Sequence, residues 1–386
     1  MPEPGRSRDI LETLVGFPTV SRDSNLPLID WIEAYLDRLG FRCHRVSDPT
    51  GQKAGLFARI GPDGPGGVML SAHTDVVPTE GQDWTSDPFT LTETGGRLVG
   101  RGAADMKGYL ACALRAAGIA ADGRLAEPFK LAISYDEEIG CVGISHMVGH
   151  LDDSIGRPDL CIVGEPTEMA LVTGHKGKTA LRCTCRGSGG HSSMAPDYQN
   201  ALHLAADVMA EIRRLQDRVR ESGAQDPGYA VPYSTLHVGR LEGGTALNIV
   251  PDSATLDFEL RALAQEAPEP LLTQLRDAAA RLAAAAQVDH PEADIRFETL
   301  TFYPGLETDP SGPGVRRVMD LLGSDEVKKV SFGTEAGVFA AAGVESVVCG
   351  PGAISVAHRA DEYIDIAQLD ACDAFLDRLV ASMTTG

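Results

Sequence analysis

The 386-residue chain is predicted to be an α/β protein, with a mixed, mostly parallel sheet flanked by helices and an inserted α+β domain of ferredoxin-like βαββαβ order. Three observations predict it. Short apolar runs bounded by glycine and proline, Val68–Ser71, Leu131–Ser134, Leu160–Val163 and Ser346–Cys349, read as buried parallel strands. Helical patterns alternate with them. Between about His175 and Pro304 the order changes to strand, helix, strand, strand, helix, strand, a common two-layer unit. The expected division is therefore a first domain in two parts, 1–174 and 305–386, with 175–304 inserted between them. The chain is long for one core, and its 43% apolar content supplies two.

Residues 9–40 carry two amphipathic helical patterns, one on Ile10, Leu11, Leu14 and Val15, the other on Leu28, Ile29, Ile32, Leu36 and Leu39. Phe41–Arg45 and Gly55–Ile60 read as strands, and Gly67–Ala72 as a buried one. A long irregular segment rich in Pro, Gly and Asp follows through Gly102, and a loop of that length usually carries function. From about Asp105 to Ala121 the pattern is helical, which sets the Asp105 carboxylate at a helix start, where the dipole favours it. Inside the insertion, Thr179–Arg186, Tyr233–Val238, Ala254–Arg261 and Ile295–Phe302 read as strands, and Asn200–Arg220 and Pro270–Ala286 as helices. The Ala-rich tract 278–286 is a helix rather than a linker, because alanine has the best helix propensity. The α/β pattern resumes after Thr308.

Lys+Arg 34 against Asp+Glu 55 gives a formal charge of -21, and no basic run offsets it. Such a chain repels nucleic-acid backbones and anionic membranes, so neither is an expected partner. Met1–Val20 lacks the apolar core of a signal peptide, and no later segment has ~18 uninterrupted apolar residues. The eight cysteines are scattered, as suits reduced, buried thiols, and the expectation is a soluble cytoplasmic protein. Cys183 and Cys185 share one strand face, but no second pair or spaced histidines lie nearby, so strand packing accounts for them better than structural zinc.

The four apolar runs are each followed by a metal-type ligand: His73, Glu138, Glu165 and His358. Open α/β sheets place their chemistry beyond the carboxyl ends of the strands, so these distant residues are expected to converge. In His73-Thr74-Asp75 an extended backbone puts both side chains on one side, and Asp75 can accept the second ring N–H of a metal-binding His73. In Asp136-Glu137-Glu138 the bland reading is a solvated acidic turn. The functional one assigns Glu138 to a metal and leaves Glu137 free to take a proton from the attacking water. Two divalent ions bring four positive charges, which Asp105, Glu138, Glu165 and one hydroxide offset, with two neutral imidazoles completing the shells. A set rich in oxygen and imidazole and free of thiolate is that of catalytic rather than structural zinc, and Asp105 can bridge the ions.

The segments SAHTDVVP, GRGAADMKG, SYDEEIG, GEPT, SGGHSS and GPG…AHRADEY resemble the metallo-amidohydrolase family that contains acetylornithine deacetylase, succinyl-diaminopimelate desuccinylase, aminoacylase and glutamate carboxypeptidase. The resemblance spans nearly the whole chain, and GHKGKTALRC, QDWTSDPF and SFGTEAG are most similar to the acetylornithine deacetylase branch. It implies a zinc aminopeptidase-like catalytic domain holding two divalent metals, zinc or else cobalt. His73 and Glu165 would serve one metal and Glu138 and His358 the other, with Asp105 bridging, Asp75 orienting His73 and Glu137 as general base. The insertion would be the lid of a homodimer, whose His191 reaches the partner subunit's site to stabilise the oxyanion. Asn248 and Arg261 resemble positions that hold a substrate carboxylate, for which a guanidinium is suited. By charge complementarity, Glu335 is expected to face the cationic amine of ornithine. Ala103-Ala104 stand where relatives often carry a hydroxyl residue, leaving open how that loop is hydrogen-bonded.

The implied activity is removal of acetyl from an N-acetyl amino acid, N2-acetyl-L-ornithine first, as in arginine biosynthesis. A desuccinylase, an N-acetylcitrulline deacetylase, an aminoacylase or a metallo-dipeptidase would share every catalytic residue. A two-metal phosphoesterase should supply basic groups for phosphate, which this acidic chain does not show. A non-catalytic metal-binding protein has no need of a base such as Glu137 beside its ligands.

Overall fold

The computed structural model describes residues 6–385, so the first five residues of the Met1–Val20 stretch lie outside the described residues. Residues up to 174, with 306–329 and 334 onward, form one compact unit; residues 175–305 with 330–333 form another.

The first unit is built on a nine-stranded sheet in the order Arg42–Ser47, Ala54–Ile60, Phe129–Ser134, Val68–His73, Leu160–Val163, Glu345–Val348, Leu171–His175, Leu306–Glu307, with Val327–Val330 also paired to Leu171–His175. Its four central strands, from Phe129–Ser134 to Glu345–Val348, are parallel, and antiparallel pairs flank them. Val68–His73 and Phe129–Ser134 are buried along their whole length, as strands covered on both faces must be. Helices Ser7–Val15, Lys107–Asp122 and Ile366–Ser382 pack on one another. Twelve of the 16 residues of Lys107–Asp122 are buried, and its alanines and glycines keep it slim enough to lie between neighbours.

The segment expected to be irregular through Gly102 contains two short strands, Thr92–Thr94 and Arg97–Val99, that pair with each other, and the second also pairs with Tyr363–Asp365. Three-residue strands are too short to show alternation, and their partner is far along the sequence. Asp105 lies two residues before the helix Lys107–Asp122 rather than within it.

The second unit is an antiparallel four-stranded sheet in the order Thr235–Gly243, Ser253–Ala262, Gly177–Arg186, Asp294–Tyr303. Helices Ala201–Ser222 and Glu269–Ala286 pack against each other and the sheet, giving the βαββαβ order. The first of these helices starts at Asn200, whose side chain accepts the Leu202 N–H at 2.9 Å and so caps it. Cys183 and Cys185 are wholly buried in this unit's apolar core. No helix of the described residues is long and apolar enough to cross a membrane.

Candidate metal centre

Parallel strands expose their last carbonyls and the loops that follow them at one edge, and those loops carry the site. His73 is the last residue of Val68–His73; Glu138 comes four residues after Phe129–Ser134, and Glu165 two residues after Leu160–Val163. The Glu165 loop is pressed onto the loop after Glu345–Val348: Thr167 N–H donates to the Gly350 carbonyl at 3.1 Å and Cys349 N–H to Val163 at 2.9 Å. A Cβ at Gly350 would lie 2.1 Å from the Gly164 carbonyl oxygen, so only glycine permits this approach. The same loop then delivers His358.

The five expected ligands converge. His73 Nε2 lies 3.1 Å from Asp105 Oδ1 and 3.7 Å from Glu165 Oε1; His358 Nε2 lies 3.4 Å from Asp105 Oδ2 and 2.9 Å from Glu138 Oε2. The two oxygens of Asp105 thus face two different imidazole–carboxylate pairs. Ligands about 2.0–2.2 Å from a tetrahedral ion stand about 3.3–3.6 Å apart, so these spacings suit a shared cation on each side of Asp105. His73, Asp105, Glu138 and Glu165 are nearly closed to solvent, whereas the His358 side chain is 50% exposed, which leaves one mouth to the site.

The electrostatics call for positive charge. Burial raises the Glu138 carboxyl to about 7, helped by Asp105, and burial with Asp105 nearby pushes Glu165 well above the carboxylate range. Hydrogen bonds to Asp105 and Glu138 lift His358 to about 10. Burial opposes a charge on His73, yet its bonds with Asp105 and Asp75 prevail and its pKa is raised well above normal. Glu165 Oε1 is buried with no hydrogen-bond partner. A crowd of dry carboxylates with two imidazoles and an orphaned acceptor fits divalent cations.

Glu137 is held beside this set. Its carboxyl is raised well above the usual range by burial, with Glu138 and Asp105 adding to the effect, and Cys141 Sγ donates to its Oε1 at 3.3 Å. Its ligand oxygen also falls within 4.8 Å of those of His73 and Glu165, so position alone permits it as a third ligand there. The His73 ring is held by the Asp75 backbone more closely than by its carboxylate. The ring Nδ1 meets the Asp75 backbone carbonyl at 2.9 Å and its carboxylate only at 3.5 Å. The carboxylate instead accepts Glu137 N–H at 3.1 Å, Glu138 N–H at 3.3 Å and the Ser21 hydroxyl at 2.7 Å, so it anchors the acidic loop.

Glu335 is closed off from solvent. It is 1% exposed, accepts the Ser71 hydroxyl at 3.1 Å, and burial raises its carboxyl to about 7. A closed carboxylate among strand residues is not open to a substrate amine in this structure, against the expectation that Glu335 faces one.

In the second unit, His191 is exposed, and its Nδ1 accepts Ser193 N–H at 3.2 Å, which leaves Nε2–H as the outward donor. Asn248 is also exposed and is its neighbour: the Asn248 carbonyl accepts Ser192 N–H at 3.0 Å, and Gly190–His191 pairs with Ile249–Val250. Arg261 is half-buried and donates to Glu259 at 2.7 Å, so a ligand carboxylate would share or displace that partner.

Comparison with known proteins agrees with the donor set. Residues 69–382 match peptidase family M20/M25/M40. The chain belongs to this family. It is 34% identical to an acetylornithine deacetylase of Myxococcus xanthus over 387 aligned residues, 98% of each chain. Among solved structures it is similar to an M20 metallo-carboxypeptidase from Sulfolobus solfataricus, with a TM-score of 0.78, 19% identity and 97% and 98% of the two chains covered. A dinuclear metal-binding M20 peptidase from Bacillus subtilis aligns with a TM-score of 0.67 and 15% identity over 98% and 97%. Like its M20 relatives, the chain is a metal-dependent amidohydrolase.

Sequence reasoning passed over several residues that support the site, above all Gln82, Arg101 and Glu362. Arg101 lies in GRGAADMKG and Glu362 in AHRADEY, motifs read for their ligands alone. Two opposite charges inside otherwise ligand-bearing motifs were the available signal.

Proposed function

We propose that this M20 amidohydrolase uses two divalent metals, zinc or else cobalt, to remove the acetyl group from an N-acetyl amino acid, N2-acetyl-L-ornithine yielding L-ornithine and acetate. The observation that carries the two-metal reading is the split of Asp105, one oxygen toward His73 and the other toward His358, with each imidazole meeting a further carboxylate, Glu165 and Glu138 respectively. The identity to an acetylornithine deacetylase over nearly the whole chain supports the substrate class, and the place in arginine biosynthesis follows only if that substrate is the right one.

Bound metals would supply Lewis acidity at the scissile carbonyl and a more acidic water. Glu137 takes the proton of the attacking water and passes it to the leaving amine, and burial makes it a stronger proton acceptor than an ordinary carboxylate. Asp75 keeps the Glu137 and Glu138 amides in place while that proton moves. In the proposed homodimer the second unit is the lid, and His191 serves the other subunit's site. Its Nε2–H, freed by the Ser193 contact, donates to the oxyanion. Asn248 and Arg261 hold the substrate carboxylate.

The test is metal-reconstituted protein assayed against N-acetylornithine, N-acetylcitrulline, N-acetylmethionine, succinyl-diaminopimelate and a dipeptide. Highest kcat/KM on N-acetylornithine is expected. Preference for another member reassigns the substrate within the family, and failure on all five refutes the proposal.

A further inference from the structure

Arg101 and Glu362 are both 1% exposed and form an ion pair inside the first unit. A buried pair is weak evidence for stability alone, since apolar residues of like volume often serve as well. Its surroundings give it another meaning. Glu362 Oε1 accepts the backbone N–H groups of both Ala104 and Asp105 at 3.0 Å, while Oε2 faces the Arg101 guanidinium. This is how the Ala103-Ala104 loop is hydrogen-bonded without a hydroxyl side chain. On its other side Arg101 Nη2 donates to Gln82 Oε1 at 2.6 Å, and Gln82 Nε2 donates to the His358 backbone carbonyl at 3.1 Å. Trp84 Nε1 also donates to Gln82 Oε1 at 3.1 Å and holds the amide in that orientation.

A single chain of bonds therefore runs from the Asp105 backbone through Glu362, Arg101 and Gln82 to the His358 backbone. Asp105 and His358 lie on different loops, and His358 has a φ of 61°, a backbone state that an ordinary residue keeps only when its surroundings hold it there. Planar donors at Arg101 reach Glu362 and Gln82 at once, as the shorter point charge of a lysine does not.

We propose that the Arg101–Glu362 pair, continued by Gln82, is a positioning tie that fixes the spacing between Asp105 and His358 and so sets the affinity of the cation they share with Glu138. The inference rests on the two-metal reading. It makes Gln82 a positioning residue that touches neither metal nor substrate.

Isothermal titration of chelator-treated full-length protein with Co(II), followed by the visible spectrum, tests it. Wild type is expected to take two ions per subunit. Gln82→Ala should weaken one of the two binding steps 10–100-fold, the usual effect of removing a partner of a metal ligand, and alter that ion's absorption while sparing the other. Gln82→Glu is the sharper variant. It keeps an acceptor for Arg101 and Trp84 but cannot donate to the His358 carbonyl, and its added negative charge would by itself tighten a cation. A fall like that of the alanine variant supports the tie; unchanged or tighter binding overturns it. Wild-type affinities in Gln82→Ala overturn it equally. Arg101→Lys should lower the same step, and the double variant with Gln82→Ala should lose no more than the worse single one; additive losses break the link. Gln82 is only half-buried, so its variants should fold even if Arg101→Lys does not. If wild type itself fails to take two ions, the two-metal reading falls and the tie with it.

Discussion

Replacing Glu137 by glutamine isolates its proton chemistry. The amide has the same volume, can still accept from Cys141, at 3.3 Å in the parent, and leaves the backbone N–H that reaches Asp75 at 3.1 Å untouched. What is lost is a group that can take a proton and return it. General acid–base catalysis by a positioned side chain contributes about 10²–10⁴ in rate, or about 3–5 kcal/mol of barrier. Glu137→Gln should therefore lower kcat by that factor on N-acetylornithine with KM little changed. Steady-state kinetics on the Co(II)-loaded protein measure the loss, and titration of the same preparation counts the ions. Two results would refute the assignment. One is kcat within tenfold of wild type. The other is the loss of one ion of two, because the Glu137 ligand oxygen lies within 4.8 Å of the donor atoms of His73 and Glu165 and a ligand role is the competing explanation.

Glu335→Gln should change kcat/KM for N-acetylornithine and N-acetylmethionine by the same factor, since Glu335 is buried against Ser71; a selective loss on the ornithine substrate would restore its role at the amine. The same variant has a pH signature. The folded-state carboxyl of Glu335 is raised from 4.5 to about 7, so the metal-free protein holds that proton more tightly than its unfolded chain does. The contribution is fully present below about pH 4.5 and lost as pH rises through 7, a change of roughly 3 kcal/mol. Thermal unfolding in chelator at pH 5 and pH 8 should show a steeper decline in wild type than in Glu335→Gln, and parallel declines would contradict the burial argument. His191→Ala should lower kcat by about 10²–10³ with both metals still bound, as loss of one oxyanion donor does, and unchanged kcat would remove it. His358→Ala should reduce Co(II) stoichiometry from two to one per subunit; retention of both ions would exclude the residue as a ligand.

Much of the fold and of the site is legible in the sequence. Val68–Ser71 and Leu131–Ser134 are uninterrupted apolar runs because the strands are covered on both faces, and that signal put His73 and Glu138 at one edge of the sheet. The order of elements in the inserted segment was legible because its long helices and strands have clear periods. What could not be read was anything decided by depth or by a contact between distant segments. Glu335 sits between a glycine-containing turn and a short helix, surroundings that look exposed in sequence, yet the sheet closes over it. The Asp75 carboxylate turns to the Glu137 and Glu138 amides because the chain leaves the strand at His73, and alternation no longer applies beyond a strand's end. Glu362 reaches the Asp105 amide across more than 250 positions, a distance at which pattern carries no information.

The discontinuity of the first unit has a consequence in time. Its site draws His73, Asp105, Glu138 and Glu165 from before the second unit, and His358 and Glu362 from after it. Roughly 190 residues separate Glu165 from His358, and at a synthesis rate of about 5–20 residues per second that is roughly 10–40 s. During that interval the nascent chain carries the His73 half of the site while the half that needs His358 has not been made. If the two-metal proposal holds, the ion shared by Asp105, Glu138 and His358 would be a late arrival, and its capture would mark the moment at which the two separated stretches of the first unit have met.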